Sequence, residues 1–254
     1  MSEQLTFEFK ERPTIKGFPE LRWTGKRPYR STQYYPAQLR ERYGEERDGW
    51  INRIYWGDNL QVMSHLLKEF RGQVDLIYID PPFDSKADYK KKITLRGQTV
   101  TSDSSSFEEK QYGDIWTNDE YLQFMYERLI LMRELLSDKG SIYVHLDEKR
   151  SHYIRLILDE VFGQDAFRRE IIWDITVLSG FKVQAKNWIR GHDTVLYYSK
   201  SSTPTFHKLR QPHQQKYIDM FNRVDENGER YLVAHGMTRY LKDVIDKGKP
   251  YGDV

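Results

Sequence analysis

No cysteine occurs among the 254 residues, which excludes disulfides and thiolate metal sites and leads us to expect a cytoplasmic protein. No run approaches the roughly 18 apolar residues that cross a bilayer, so no membrane partner is expected. The stretch from Met1 to Lys10 has no apolar core and does not read as a signal peptide. Glycine is present 16 times, yet no Gly-x-Gly occurs anywhere, and no internal repeat is found. His192, His207, His213 and His235 lack metal-ligand spacing, and without cysteine they make no zinc site. Excess charge is lacking too: the net charge is +2, which by itself argues nothing about nucleic acid.

What is there is a soluble composition, 31% charged and 38% hydrophobic, long enough for one α/β domain or for one domain with an insertion. The charge is unevenly spread. Residues 182–254 hold 13 Lys/Arg against 8 Asp/Glu, a surplus of +5, which leaves −3 for residues 1–181. A basic region on a near-neutral body suits a polyanionic partner, and it equally suits a solvated basic face. The 18 Tyr and 6 Trp are as compatible with base stacking as with an aromatic core.

Residues 1–50 mix Pro, Arg and Tyr without periodicity and read as an extension wrapped over a domain or as a partly ordered arm. Regular structure is expected from Asn52. A short strand over 52–56 is closed by Gly57-Asp58, and Asp58 is a good N-cap for a helix to Phe70, with Leu60, Met63, Leu66, Leu67 and Phe70 on one face. Residues 74–79 form an apolar run of the kind found in buried parallel strands. A long polar stretch follows over 84–116, a length that is uncommon in a compact domain unless it is functional or disordered. Thr117-Asn118-Asp119-Glu120 has capping-box spacing and opens a helix to Leu136. A strand over 141–146, a helix after Asp147 to Phe162, and strands over 169–173 and 194–198 complete the pattern. Alternating helix and strand predict an α/β fold around a mainly parallel sheet.

In such sheets ligands gather at the carboxyl ends of strands. Two segments stand there: Gly57-Asp58, and Asp80-Pro81-Pro82-Phe83. A Pro-Pro pair arises at a given position roughly once in 400 by chance. An exocyclic amine on a nucleobase is a poor nucleophile because its lone pair is delocalised into the ring. A carboxylate and a backbone carbonyl, both acceptors, would take its hydrogen bonds. Successive prolines remove competing N–H donors and fix the backbone, and an adjacent aromatic offers a stacking face. The plainer alternative is that Asp-Pro-Pro merely ends a strand and Phe83 is core. His145, in mid-strand, reads as a packed core histidine rather than a base.

Several strings together resemble the β-class DNA amino-methyltransferases, which include the modification subunits of type III restriction systems. They are Asn52-Arg53-Ile54-Tyr55-Trp56-Gly57-Asp58-Asn59-Leu60, Leu76-Ile77-Tyr78-Ile79-Asp80-Pro81-Pro82-Phe83 and Gly140-Ser141-Ile142-Tyr143-Val144-His145-Leu146-Asp147. Glu160-Val161-Phe162-Gly163, Gly180-Phe181-Lys182 and His192-Asp193-Thr194-Val195-Leu196 are similar too. The resemblance implies transfer of a methyl group from S-adenosylmethionine to adenine N6 in double-stranded DNA. In its catalytic site Asp80 and the Pro81 carbonyl hold the amine, Pro82 shapes the turn and Phe83 stacks on the extruded base. Asp58 would contact the cofactor's adenine, with Asp80 also beside the cofactor, although Asp58 could serve as a helix cap alone. The leading Asp of the motif points to adenine N6 rather than cytosine N4. Lys182, Lys186 and Arg190 open the region, residues 181–254, in which this family places target recognition. Lys90, Lys91, Lys92 and Arg96 either touch phosphate or belong to a solvated loop.

The resemblance also implies a circularly permuted, Rossmann-like, three-layer αβα fold. In its sequence order the Gly-rich cofactor loop, with sheet strands 1 and 2, follows the recognition region, and this chain contains no such loop. The expectation is therefore a catalytic core over residues 51–180 within an incomplete enzyme. A C-terminal part or a partner chain would supply the loop, in a restriction-modification setting that could include a restriction subunit. A non-catalytic DNA-binding or assembly remnant is the alternative.

Overall fold

The computed structural model describes residues 4–10, 17–82, 93–95, 98–100, 118–175, 186, 188–245 and 247–250. They fall into two compact units, Met1–Thr205 and Phe206–Val254. In the first, β1 (Thr6–Glu8) and β2 (Ser31–Gln33) form an antiparallel pair. Next come α1 (Asn59–Phe70), β3 (Val74–Ile79), a hairpin of β4 (Ile93–Leu95) and β5 (Gln98–Val100), and α2 (Asn118–Leu135). The unit ends with β6 (Leu136–Leu146), α3 (Ser151–Phe162), β7 (Phe167–Asp174) and β8 (His192–Ser199).

The central sheet runs β3-β6-β8-β7. Among the described strands only β3 and β6 pair in parallel; β8 is antiparallel to both of its neighbours. The sheet is thus mixed, which corrects the mainly parallel sheet expected from the helix–strand alternation. That expectation holds for β3–α2–β6 and for the direction of β7 after α3. It fails at β8, which follows β7 with no described helix between and inserts itself, reversed, between β7 and β6.

Alternation along each strand sorts the two faces. Ile142, Val144 and Leu146 of β6 and Leu196 and Tyr198 of β8 point into a core shared with Leu67 of α1, Leu129 of α2 and Ile154, Ile157 and Leu158 of α3. Full burial of each such side chain is worth about 1.5–3 kcal/mol, so this face holds the unit together. The N-terminal extension joins the same core, with Phe9 buried and Trp23 and Tyr29 packed against it. Lys26 bridges to Glu160 of α3 at 2.7 Å and Arg27 to Glu127 of α2 at 3.0 Å. The opposite face is exposed at its edge strands, at Leu76 and Tyr78 of β3 and Trp173 of β7, and buried along the middle strands, at Ser141 of β6 and at Val195 and Tyr197 of β8. The described helices of this unit, α1, α2 and α3, all pack into the core on the first face.

The turn from α1 into β3 is tied to the end of α2, where Gly72 and Gln73 donate to the carbonyls of Glu134 and Leu135. At Gly140 β6 lies close against β3: a Cβ there would lie 2.8 Å from the Val74 carbonyl oxygen. A glycine is required by that contact, and the β3–β6 register shifts beside it.

The strand expected over 52–56 is not formed. Ile54 is 99% exposed, and among the described residues no neighbouring backbone pairs with this segment. Arg53 instead bridges to Glu69 at 2.7 Å and lies over the rings of Trp50 and Phe70. An apolar-alternating string cannot be a strand without a partner.

The second unit contains β9 (Arg210–Gln211), α4 (Gln215–Asp219), β10 (Arg223–Val224), β11 (Arg230–Ala234), β12 (Met237–Tyr240), α5 (Leu241–Ile245) and β13 (Lys249–Pro250). The middle strands make a three-stranded antiparallel sheet, and β13 pairs with β9. Phe221 is its buried anchor, and Arg230 donates to the Phe221 carbonyl at 2.8 Å. Among the described residues no helix is long and apolar enough to cross a membrane.

Candidate functional site

β3 ends at Ile79, and its partner β6 ends at Leu146. Ile79 pairs with Val144, so Asp80 stands level with His145 at the carboxyl end of the parallel pair β3–β6. Ile77 and Ile79 turn toward the helices while Leu76 and Tyr78 turn away, and Asp80, the next residue on that second face, is exposed. Pro81 and Pro82 follow, half-buried, and neither has an N–H that could compete for an incoming acceptor. Among the described residues the Asp80 carboxylate has no hydrogen-bond or ion-pair partner. Phe83 and Lys182 lie outside the described residues, as does the Lys90-Lys91-Lys92 run.

Asp58 is differently placed. It is the N-cap of α1: Oδ1 accepts from the Leu60 N–H at 2.9 Å and the Gln61 N–H at 3.3 Å. Oδ2 accepts from Arg128 Nη2 at 2.9 Å. Arg128 is 8% exposed in its side chain, lies 3.4 Å over the Phe124 ring and also donates to Asn59. Burial pulls the Arg128 guanidinium below its ordinary pKa, and the Asp58 carboxylate opposes that shift. The Asp58 side chain remains 39% exposed.

At the end of β6, Asp147 accepts from the backbone N–H groups of Lys149 and Arg150 at 3.1 and 3.0 Å, making the turn that leads into α3 at Ser151. Burial raises its pKa, and the Arg150 N–H works the other way. Lys186 is exposed. Arg190 is committed within the protein: it pairs with Asp193 and stands 3.3 Å from Glu148.

The structure also gathers residues that the sequence does not bring together. Tyr78 Oη lies 3.0 Å from His145 Nδ1, and His145 Nε2 lies 3.4 Å from Asp193 Oδ2. Beside them the Tyr143 and Tyr197 rings stack at 4.5 Å, with the Tyr143 hydroxyl pushed up to about 12 by burial and by its neighbour. Period-two alternation back from Asp80 would have placed Tyr78 on the same face. Nothing in the sequence reveals that β6 and β8 bring His145 and Asp193 beside it.

Residues 74–251 match a family model described as N6_N4_Mtase, DNA methylase. The chain is 30% identical over 188 residues to the type II methyltransferase M.EcaI of Enterobacter cloacae, covering 72% of this chain and 37% of that protein. It is 33% identical over 131 residues to the type III restriction-modification enzyme StyLTI Mod subunit of Salmonella typhimurium, covering 48% of this chain and 20% of that one. The chain therefore spans well under half the length of these relatives. A solved M1.HpyAVI-SAM complex shares 13% identity and a TM-score of 0.41 over 63% of this chain and 58% of that one.

Proposed function

The chain belongs to the DNA methylase family whose model its residues 74–251 match, and on that premise we propose that it carries the amine-binding half of an S-adenosylmethionine-dependent adenine-N6 DNA methyltransferase of a restriction-modification system. The observation that carries this reading is Asp80. It is an exposed carboxylate without a partner among the described residues, at the carboxyl end of a parallel pair, and it is followed by two residues that cannot donate a backbone hydrogen bond. Such a group accepts from an amino N–H and steadies the positive charge that builds on nitrogen as it takes up a methyl group. The Pro81 carbonyl would supply the second acceptor and Phe83 the stacking surface, with Pro82 keeping the turn rigid.

The residues fit part of the cofactor. The Asp58 carboxylate is 39% exposed and its Oδ2 carries one described contact, so it retains room to accept from an adenine amino group. No Gly-x-Gly is available to cradle the methionine end. S-adenosylmethionine supplies an electrophilic methyl on a sulfonium; the contribution of this chain is to bind and orient the amine. The outer edge of β3 pairs with no strand among the described residues, and unpaired edges recruit strands. We take that edge to receive a further strand, together with the Gly-rich loop, from a C-terminal part or a partner chain, as a permuted fold requires. Residues 181–254 would then face double-stranded DNA. The missing Gly-x-Gly favours a second reading, a DNA-binding or assembly part without activity of its own.

The test is transfer of labelled methyl to DNA by the complete assembly, with the product base identified. N6-methyladenine supports the reading. N4-methylcytosine as the sole product moves it to the other amine, and DNA binding with no transfer favours the second reading.

A further inference from the structure

Tyr78, His145, Asp193, Arg190 and Glu148 form a chain of polar contacts on the face of the sheet that turns away from the helices, with Tyr78 two residues before Asp80. The Tyr78 hydroxyl is 3.0 Å from His145 Nδ1, and His145 Nε2 is 3.4 Å from Asp193 Oδ2. Arg190 pairs with the other oxygen of Asp193 and lies 3.3 Å from Glu148. Asp193 is nearly buried, with its side chain 9% exposed, while Tyr78 at 59% is open to whatever occupies the site. Tyr78 and Asp80 are two residues apart, so by strand geometry their side chains emerge on one face about 7 Å from each other.

We propose that Tyr78 and His145 form a proton relay for the amine held by Asp80, with Asp193 as its anchoring carboxylate. The inference rests on the methyltransferase reading and adds to it the route by which the proton leaves. The Asp193 carboxylate lies 3.4 Å from Nε2 without the alignment of a hydrogen bond, and its charge favours the imidazole proton on that nitrogen, which leaves Nδ1 as the acceptor of the Tyr78 O–H. The Tyr78 oxygen then has only lone pairs to offer outward, and it accepts an N–H from the target nitrogen. Once that nitrogen carries the new methyl group it is cationic and must lose one proton. The N–H bond breaks toward the Tyr78 oxygen as the Tyr78 proton passes to His145 Nδ1. The methylated amine is left neutral and Tyr78 is restored. The imidazolium faces Asp193, whose second oxygen stays paired with Arg190. Charge is conserved throughout, and the proton leaves from His145 to solvent between turnovers.

Two measurements test the relay. Nitrogen–proton correlation spectra of the His145 ring in the full chain read the tautomer without any turnover. The expected result is a proton on Nε2 alone in the neutral ring, and a proton on Nδ1 overturns the relay. Single-turnover methyl transfer by the complete assembly reads the chemistry. Tyr78→Phe and His145→Asn should each lower the transfer rate by ten-fold or more, the lower end of what positioned acid–base groups contribute, with DNA affinity and melting temperature unchanged. Asn can still accept the Tyr78 O–H but takes up no proton, so recovery of the wild-type rate in His145→Asn reduces the role to positioning and overturns the relay. The double variant should be no slower than the slower single one, as expected for two members of one path. Wild-type rates in Tyr78→Phe overturn the relay alone, while a wild-type assembly that transfers no methyl group overturns the reaction reading and the relay with it.

Discussion

Asp80 and Asp58 occupy opposite kinds of place in the same unit, one at the exit of a strand and the other at the entrance of a helix. Both are carboxylates near strand-like segments, and the resemblance gives both a functional role. Asp58 is held by structure, with two backbone donors and a nearly buried guanidinium on its oxygens and room on Oδ2 for one further donor. Asp80 has no partner among the described residues and faces outward. A carboxylate held idle at a strand end costs the fold nothing when it changes, whereas one that closes a helix and neutralises an arginine cannot change without loss.

That contrast is open to direct attack. The largest effect is expected at Asp80: Asp80→Ala should slow methyl transfer by at least about 100-fold, as loss of a transition-state acceptor does. Its unfolding free energy from urea titration should stay within about 0.5 kcal/mol of wild type, as for an exposed position. Near-normal turnover would mean that the idle carboxylate is idle in the reaction too. Asp58→Ala should do the reverse first, lowering stability by about 1–2 kcal/mol through loss of the cap, while Asp58→Asn keeps the cap and recovers most of it. Urea unfolding read by far-ultraviolet circular dichroism checks both, and an unchanged midpoint in Asp58→Ala would erase the distinction.

The same division between spent and available charge separates Arg190 from Lys186. Lys186→Ala should flatten the salt dependence of DNA binding by about one unit of slope. Arg190→Ala should change it less, because that guanidinium already faces Asp193 and Glu148. Fluorescence anisotropy across a salt series decides, and equal slopes for the two variants would remove the difference.

The smallest effect is expected at Asp147. Its folded-state pKa is raised by burial, so the folded protein binds more protons than the unfolded chain across the window between them. Stability should therefore fall as pH rises from the ordinary aspartate value of about 3.9 through the raised folded value, and no gain from its charge is expected above. Asp147→Asn keeps an oxygen for the Lys149 and Arg150 N–H groups and should flatten that slope. A steeper slope in the variant would contradict the burial argument.

Much of the site was legible because it is local. The cap at Asp58, the strand over 74–79 and the Asp80-Pro81-Pro82 exit are each specified by residues a few positions apart, and the structure forms α1 and β3 at those places. The strand expected over 52–56 depended on a neighbour that no local pattern can provide, and it did not form. His145 read as a packed histidine because alternation along β6 reports only which face a side chain takes, not what stands across from it.

The sequence by itself determined the helices, the apolar strands and the position of the exposed acceptor, because helical periodicity, capping and proline chemistry act over a single turn or a single strand end. Only the tertiary structure decided that β8 inserts reversed between β6 and β7 and that Asp58 is claimed by Arg128 of α2. The same is true of Tyr78, His145 and Asp193, which meet on one face of the sheet. Those outcomes depend on pairing between segments up to 115 residues apart, as Tyr78 and Asp193 are, and such pairing is set by which apolar faces bury one another rather than by any signal in the segments themselves.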